Sequence, residues 1–160
     1  MWQRFSESAR KAIFYAQEES TRQGHNAIIP DHLLLGLLVE EDTLAFRTLT
    51  ALGVDIDAVR NEVRRRMKPE QGLASADMTL TLEGKKVIDL AYREAQALNN
   101  NYVGTEHMLL GVLSQGKSEG AEVLTGLGVH PDAARREAVA LQIREDRRTQ
   151  DTGIHWSSLD

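Results

Sequence analysis

The 160-residue sequence contains no cysteine, only 3 prolines and few aromatic residues, which make up 5% of the chain. Without cysteine there can be no disulfide framework, no thiolate nucleophile and no cysteine-ligated zinc, and the chain fits a reducing compartment. Apolar residues nevertheless make up 41% of the sequence and charged residues 27%. This balance is typical of a folded globular protein with one sizeable core or two small ones.

The chain also lacks the features that direct proteins to membranes or nucleic acids. Its N-terminus has no basic region followed by an apolar one, and the longest apolar stretch, around Leu33 to Val39, is too short to cross a bilayer. A net charge of -5 disfavours non-specific binding to phosphate-rich surfaces. We therefore expect a cytoplasmic protein that binds neither nucleic acid nor membrane.

An internal duplication is the clearest pattern in the sequence. Residues 32–36 (HLLLG) recur as residues 107–111 (HMLLG), at an offset of 75, and the same offset aligns the Leu-Gly-Val segments that start at Leu52 and Leu127. A constant offset over a whole segment is the mark of a structural repeat. We predict a first repeat over 1–67, a Pro- and Gly-containing linker over 68–78, a second repeat over 79–147 and a polar tail over 148–160.

Each repeat is predicted to contain four helices, from caps, apolar periodicity and glycine stops. The predicted first helices start at Ser6 and Thr81 and stop near Gly24 and Asn99; the second start at Pro30-Asp31 and after a Thr105 cap; the third cover 42–52 and 118–127; the fourth follow Asp55 and Pro131. No sustained period-two alternation predicts strands. The fold class is therefore all-α, with two pseudo-symmetric four-helix repeats packed together.

Recognisable catalytic motifs are missing as well. There is no nucleophile elbow and no phosphate-binding P-loop, so neither hydrolysis by a serine nor ATP turnover is expected. His32 and His107 each follow an acid, which leaves a metal-ligand interpretation open. The favoured interpretation is structural: each histidine sits in the first turn of a buried helix and hydrogen-bonds the preceding loop, near Asn26 or Asn101. We expect no metal and no cofactor.

Two basic clusters, at 64–66 and 135–136, raise the alternative of nucleic-acid binding. Both lie on predicted fourth helices that also carry several acidic residues. A solvated helix face is therefore the favoured interpretation.

A hydroxyl-capped helix start and an acid recur in both repeats, as Ser6 with Asp31 and Thr81 with Glu106. A helix N-terminus favours anions, and a carboxylate favours a guanidinium. A ligand that carries both groups would suit the combination, if folding brings the residues together. The alternative is that the hydroxyls are caps and the acids satisfy the dipoles of their own helices.

Several segments resemble the Clp N-terminal repeat domain, most closely that of ClpC-type unfoldases, over about residues 1–145. They are residues 4–7 (RFSE), 24–26 (GHN), 31–37 (DHLLLGL) and 102–111 (YVGTEHMLLG), with the two Leu-Gly-Val segments. The resemblance implies a double Clp-N domain that precedes AAA+ ATPase rings, binds adaptors and substrates, and performs no catalysis.

The resemblance also implies recognition of phosphorylated arginine at one site in each repeat. The implied ligand residues are Ser6 and Asp31 in the first repeat and Thr81 and Glu106 in the second. The first repeat departs from the family because Pro30-Asp31 replaces the usual Thr-Glu, which removes a hydroxyl and shortens the acid. The two sites are therefore expected to be unequal, with the second the better one.

A hydrophobic pocket for peptides is a further implied surface, near Trp2, Arg10, Leu80 and Lys85, although Trp2 and Leu80 could equally be core residues. The leading hypothesis is a non-catalytic binding module, free-standing or part of a ClpC-like unfoldase. Its partners would be Clp adaptors, arginine-phosphorylated substrates or a Clp unfoldase. The alternatives are a phosphoarginine-directed hydrolase that uses Glu106 and His107, and a purely structural oligomerisation domain.

Overall fold

The computed structural model describes residues 3–68 and 79–152, with side chains described as far as residue 148. Trp2, residues 69–78 of the predicted linker and residues 153–160 of the predicted tail lie outside this part. The elements are α1 Glu7–Arg22, β1 Ala27–Ile28, α2 Pro30–Leu37, α3 Leu44–Ala51, α4 Ile56–Arg66, β2 Thr79–Leu80, α5 Leu82–Ala97, α6 Thr105–Gln115, α7 Glu119–Gly126 and α8 Pro131–Thr152. The all-α fold of two four-helix repeats is confirmed.

Most helices start at a polar cap. The side chains of Ser6, Thr43, Asp55, Thr81 and Ser118 each accept the backbone N–H three residues further on. Such a bond satisfies one of the N–H groups that a helix start leaves without an intrahelical partner. Both Ser6 and Thr81 therefore act as the caps that the sequence predicts.

Left-handed residues end the first helices at matching positions. Gly24 follows α1 with φ 76°, and Asn99 follows α5 with φ 60°. Asparagine is one of the few residues besides glycine that adopts this conformation readily. The last helix, α8, runs on to Thr152, five residues into the segment predicted as a polar tail.

Within each repeat the first two helices form a tight antiparallel hairpin. A Cβ atom on Gly36 of α2 would overlap the backbone oxygen of Ala12 in α1, and one on Gly111 of α6 would lie 2.5 Å from the Val87 oxygen in α5. Glycine is thus required where the helix backbones touch. The leucines around these glycines are fully buried, so α2 and α6 form the centre of the core.

Short parallel pairings join the two repeats. β1 and β2 pair Ala27 with Thr79 and Ile28 with Leu80, and an isolated parallel bridge pairs Phe5 with Val103. The sequence does not predict these strands, because two residues are too few to show an alternation. Each pairing links the start of one repeat to the loop before the second helix of the other. None of the helices within the described ranges is both long and apolar enough to cross a membrane.

Candidate functional site

The two capping hydroxyls are held against the opposite repeat. The Ser6 N–H donates to the Val103 oxygen at 2.9 Å, while the fully buried Ser6 hydroxyl accepts the Ala9 N–H at 3.1 Å. The Thr81 N–H and hydroxyl both donate to the Ile28 oxygen, at 3.0 and 3.2 Å. Each helix start is therefore fixed by a backbone carbonyl from the other repeat.

These bonds decide which acid each helix start lies beside. Val103 precedes Glu106 by three residues, and Ile28 precedes Asp31 by three. Within one repeat, by contrast, the antiparallel hairpin sets the N-terminal ends of its two helices at opposite ends. The fold therefore brings Ser6 to the loop of Glu106, and Thr81 to the loop of Asp31, rather than pairing each hydroxyl with the acid of its own repeat.

Asp31 makes a structural hydrogen bond to the second repeat. Its side chain is only 5% exposed, and its Oδ1 accepts the Gly120 N–H, the second residue of α7, at 2.7 Å. Burial raises the pKa of Asp31, and the backbone N–H groups of Gly120 and Glu119 act in the opposite direction. The carboxylate thus acts as an additional cap for α7.

Glu106 occupies the equivalent position in α6 but has different partners. Its Oε2 accepts the Tyr102 hydroxyl and the Gln142 side-chain N–H, both at 2.8 Å. Its Oε1 is fully buried and has no hydrogen-bond partner within the described residues. A buried carboxylate oxygen without a donor lacks the compensation that normally accompanies burial of a charge.

Thr105 accounts for the difference between the two acids. Its hydroxyl accepts the Ala45 N–H of α3 at 3.0 Å. Ala45 is the repeat equivalent of Gly120, so Thr105 makes the cross-repeat bond that Asp31 makes on the other side. The prediction that Thr105 caps its own helix is wrong: Gly104 is the N-cap of α6. Pro30 has no hydroxyl, so the corresponding bond falls to Asp31.

The two buried histidines act as helix-start acceptors. Nδ1 of His32 accepts the Ile29 N–H at 3.1 Å, and Nδ1 of His107 accepts the Gly104 N–H at 2.9 Å. This is the loop hydrogen bond that the structural interpretation predicts, and it resembles one half of a capping box. Burial lowers the pKa of His32 to about 4, and the charge of His25 adds to the effect.

The outer ring nitrogens bond side chains other than the predicted asparagines. Nε2 of His32 lies 3.3 Å from the Gln23 Oε1, and Nε2 of His107 lies 2.7 Å from the Asn100 Oδ1. Within residues 3–68 and 79–148, no group of three or more His, Asp or Glu side chains is placed to hold a metal ion.

The residues predicted for a peptide surface lie near the same helix starts. Arg10 and Lys85 are exposed and stand four residues after the two caps, Ser6 and Thr81. Leu80 is half-buried and packs against the core beside its strand partner Ile28. Arg10 and Lys85 therefore add positive charge one turn into α1 and α5.

Arginines of both basic clusters form ion pairs with acidic residues. Arg64 binds the buried Glu19 through two nitrogens, at 2.7 and 3.3 Å, and Arg65 and Arg66 both bind Glu62. In the second repeat, Arg135 binds Glu94 in the same two-nitrogen manner. These contacts favour the solvated-face interpretation over a nucleic-acid surface.

Two residues around Glu106 were not identified from the sequence. Tyr102 stands four residues before Glu106, a spacing that could have indicated the contact. Gln142 comes from α8 and gives no local signal, since 36 residues separate it from Glu106. Its side-chain N–H groups also reach Asn100 and the Tyr102 hydroxyl, at 3.1 and 3.3 Å.

Comparison with known proteins identifies relatives that match most of this chain. The family model of the Clp repeat (R) N-terminal domain matches residues 4–127. The chloroplastic chaperone protein ClpC1 of Arabidopsis thaliana is 35% identical over 99% of this chain and 17% of its own length. A ClpA homolog of Cyanidium caldarium, described as an ATP-binding subunit of the ATP-dependent Clp protease, is 40% identical over 81% of this chain and 15% of its own length. The chain thus spans less than a fifth of these relatives.

Solved structures with the same fold are more distant in sequence. The N-terminal domain of ClpD from Arabidopsis thaliana superposes with a TM-score of 0.67 at 23% identity, covering 89% of this chain and 99% of that one. The Hsp104 N-terminal domain from Candida albicans gives 0.72 at 17% identity, covering 88% and 92%. At these identities the likeness shows the fold alone.

Proposed function

Because this chain belongs to the Clp N-terminal repeat family, we propose that it is a non-catalytic protein-binding module of the Clp protease system. Domains of this family are interaction modules of AAA+ unfoldases. Their partners would be adaptors and substrates, including arginine-phosphorylated proteins. The expected cytoplasmic location belongs to the same proposal.

The unpartnered oxygen of Glu106 carries the ligand proposal. A guanidinium offers several N–H donors in a planar fork, which suits a carboxylate oxygen that has none. The start of α1 lies beside the Glu106 loop and supplies backbone N–H groups and a partial positive charge for a phosphate. Phosphoarginine joins both groups in one side chain, so it fits a site formed by Ser6 and Glu106 across the repeats.

The matching site at Thr81 and Asp31 is the weaker one. Asp31 already accepts the Gly120 N–H at 2.7 Å, so a ligand would have to compete with the cap of α7. We therefore propose that phosphoarginine binds with one strong site per chain, beside Glu106. The hydroxyls of Ser6 and Thr81 serve mainly to fix the helix starts.

Ligand entry requires a side chain to move, since Glu106 has no exposed surface. Tyr102 is half-buried, and its hydroxyl covers Oε2 of Glu106. Rotation of Tyr102 would break the 3.3 Å contact between Gln142 and its hydroxyl, and would open the carboxylate at the cost of the Tyr102–Glu106 hydrogen bond. The new donors of a guanidinium would replace that bond.

Calorimetric titration with free phosphoarginine tests this proposal. We expect the parent protein to bind one equivalent tightly. Glu106→Gln keeps the shape of the side chain but removes its charge, and should weaken binding at least tenfold. The matched control, Asp31→Asn, should change the affinity of the strong site for phosphoarginine by less than threefold.

Two results would contradict the proposal in different ways. No binding to the parent would remove the phosphoarginine claim and leave adaptor binding to be tested by pull-down with a full-length Clp unfoldase. Equal losses in Glu106→Gln and Asp31→Asn would mean that the two sites are equivalent. Release of phosphate from a phosphoarginine peptide, abolished by His107→Ala, would instead support the hydrolase alternative.

A further inference from the structure

A groove with a volume of about 570 Å³ opens on the first repeat, between the α2–α3 loop, α3 and the start of α4. Apolar side chains from all three parts line it: Val39, Phe46 and Ile56. Val39 is 49% exposed. Ile56 is buried and Phe46 is half-buried, so the exposed apolar surface of the groove comes mainly from Val39.

The groove is also strongly acidic. Five carboxylates and a single cation, Arg60, line it. Arg60 donates to the Asp57 Oδ1 at 2.6 Å and to the Leu38 oxygen at 2.7 Å, so its charge is already matched by one of the five. Four carboxylates are left without a cation among the residues that line the groove.

Three of these acids follow one another at Glu40, Glu41 and Asp42. Glu40 accepts the Tyr15 hydroxyl at 2.6 Å, which raises the pKa of Tyr15. Glu41 and Asp42 are exposed beside it. Adjacent like charges repel one another, while the position of the three acids just before the N-terminus of α3 favours negative charge.

The second repeat shows that the fold does not need these residues. Its equivalents of the three apolar residues are Ser114, Ala121 and Pro131, and its equivalents of the three consecutive acids are Gln115, Gly116 and Lys117. The Asp57–Arg60 pair, however, is retained as Asp132–Arg135, with a contact of 2.8 Å. The shared pair supports the helix in both repeats, whereas the acids and apolar residues belong to the first repeat alone.

We propose that this groove docks a basic segment of a partner protein, one in which lysine or arginine alternates with apolar side chains. The cations would meet Glu41 and Asp42, and an apolar side chain would lie between Phe46 and Ile56. Opposite charges at the rim give selectivity and fast association, and the apolar contact contributes affinity. This surface is separate from the helix starts at Ser6 and Thr81, and the proposal does not depend on phosphoarginine binding.

Fluorescence anisotropy with labelled nine-residue peptides tests the proposal on the full chain. The probe alternates lysine with leucine; one comparison peptide alternates lysine with serine, and another alternates glutamate with leucine. The groove variant is Glu41→Gln with Asp42→Asn. Its control is Glu119→Gln with Glu122→Gln, which changes the net charge equally on exposed parts of α7.

We expect the lysine–leucine peptide to bind the parent protein. Its affinity should be at least tenfold lower for the groove variant and should differ by less than twofold for the control variant. Raising the salt concentration should weaken binding, and the lysine–serine peptide should bind less well. Equal losses in the two variants, binding of the glutamate–leucine peptide, or no binding to the parent would overturn the proposal. Displacement of the probe by free phosphoarginine would also overturn it, because the two sites would then be one.

Discussion

The two repeats share one architecture, but the residues at the start of their second helices make different hydrogen bonds. In the second repeat, the hydroxyl of Thr105 accepts the N–H of Ala45, and Oε1 of Glu106 has no hydrogen-bond partner among the described residues. In the first, Pro30 has no hydroxyl, and Asp31 accepts the equivalent N–H of Gly120. Where the second repeat has Thr-Glu and the first has Pro-Asp, the cross-repeat hydrogen bond is thus made by the carboxylate instead of the hydroxyl.

The groove also distinguishes the two repeats, but there the distinctive residues belong to the first repeat. Here the first repeat carries an apolar and acidic lining, and the second repeat has other residues at the equivalent positions. A duplicated domain can therefore keep its helices and specialise each copy for a different contact. Three stability experiments probe the parts that the repeats share and the parts that differ.

The largest expected effect is at the helix contacts that both repeats share. Gly36→Ala and Gly111→Ala each place a methyl group against backbone, which cannot rotate away, so we expect losses of about 3 kcal/mol in the free energy of unfolding. Urea denaturation measures them. Gly126→Ala is the control, because nothing lies within 4 Å of its added Cβ; it should be neutral or slightly stabilising. Equal stability of all three variants would contradict the tight-hairpin description.

The next largest effect is a loss of stability at low pH, caused by His32 in the first repeat. The pKa of His32 is lowered from 6.5 to about 4, so between these pH values the unfolded chain binds more protons than the folded one. The free energy of unfolding should therefore fall as pH falls from 6.5 towards 4, by at most about 3 kcal/mol from this group.

The matched variant for this pH effect is His32→Gln, since glutamine can accept the Ile29 N–H without titrating. The raised pKa of Asp31 acts with the opposite sign at low pH. The difference between parent and variant, from urea unfolding at pH 7, 5.5 and 4.5, therefore isolates His32. A parent and variant with parallel pH profiles would show that His32 does not contribute.

The smallest expected effect distinguishes the two cross-repeat caps. Asp31→Ala and Thr105→Val each leave a backbone N–H of the opposite repeat without its acceptor, at a cost of about 1 to 2 kcal/mol. Thermal unfolding of both variants beside Glu106→Gln checks the assignment. If Glu106→Gln destabilised the chain as much as Asp31→Ala, the two acids would have the same structural role.

Much of the local structure could be predicted. The capping roles of Ser6 and Thr81, the ends of α1 and α5 near Gly24 and Asn99, and the hydrogen bonds of His32 and His107 to their preceding loops all depend on residues within a few positions of one another. Short segments of sequence are therefore enough to predict such contacts. Thr105 was misassigned because its hydroxyl bonds a residue 60 positions away rather than its own helix.

The duplication and its all-α character follow from the amino-acid pattern, because helix starts, stops and apolar faces depend on near neighbours. Tertiary structure alone decides which hydroxyl lies beside which acid. Parallel pairing of Ile28 with Leu80 and of Phe5 with Val103 sets each helix start against the other repeat. Tertiary structure also decides that Asp31 caps α7, whereas Oε1 of Glu106 has no hydrogen-bond partner in the described part of the chain, since both outcomes depend on contacts between residues far apart in the sequence.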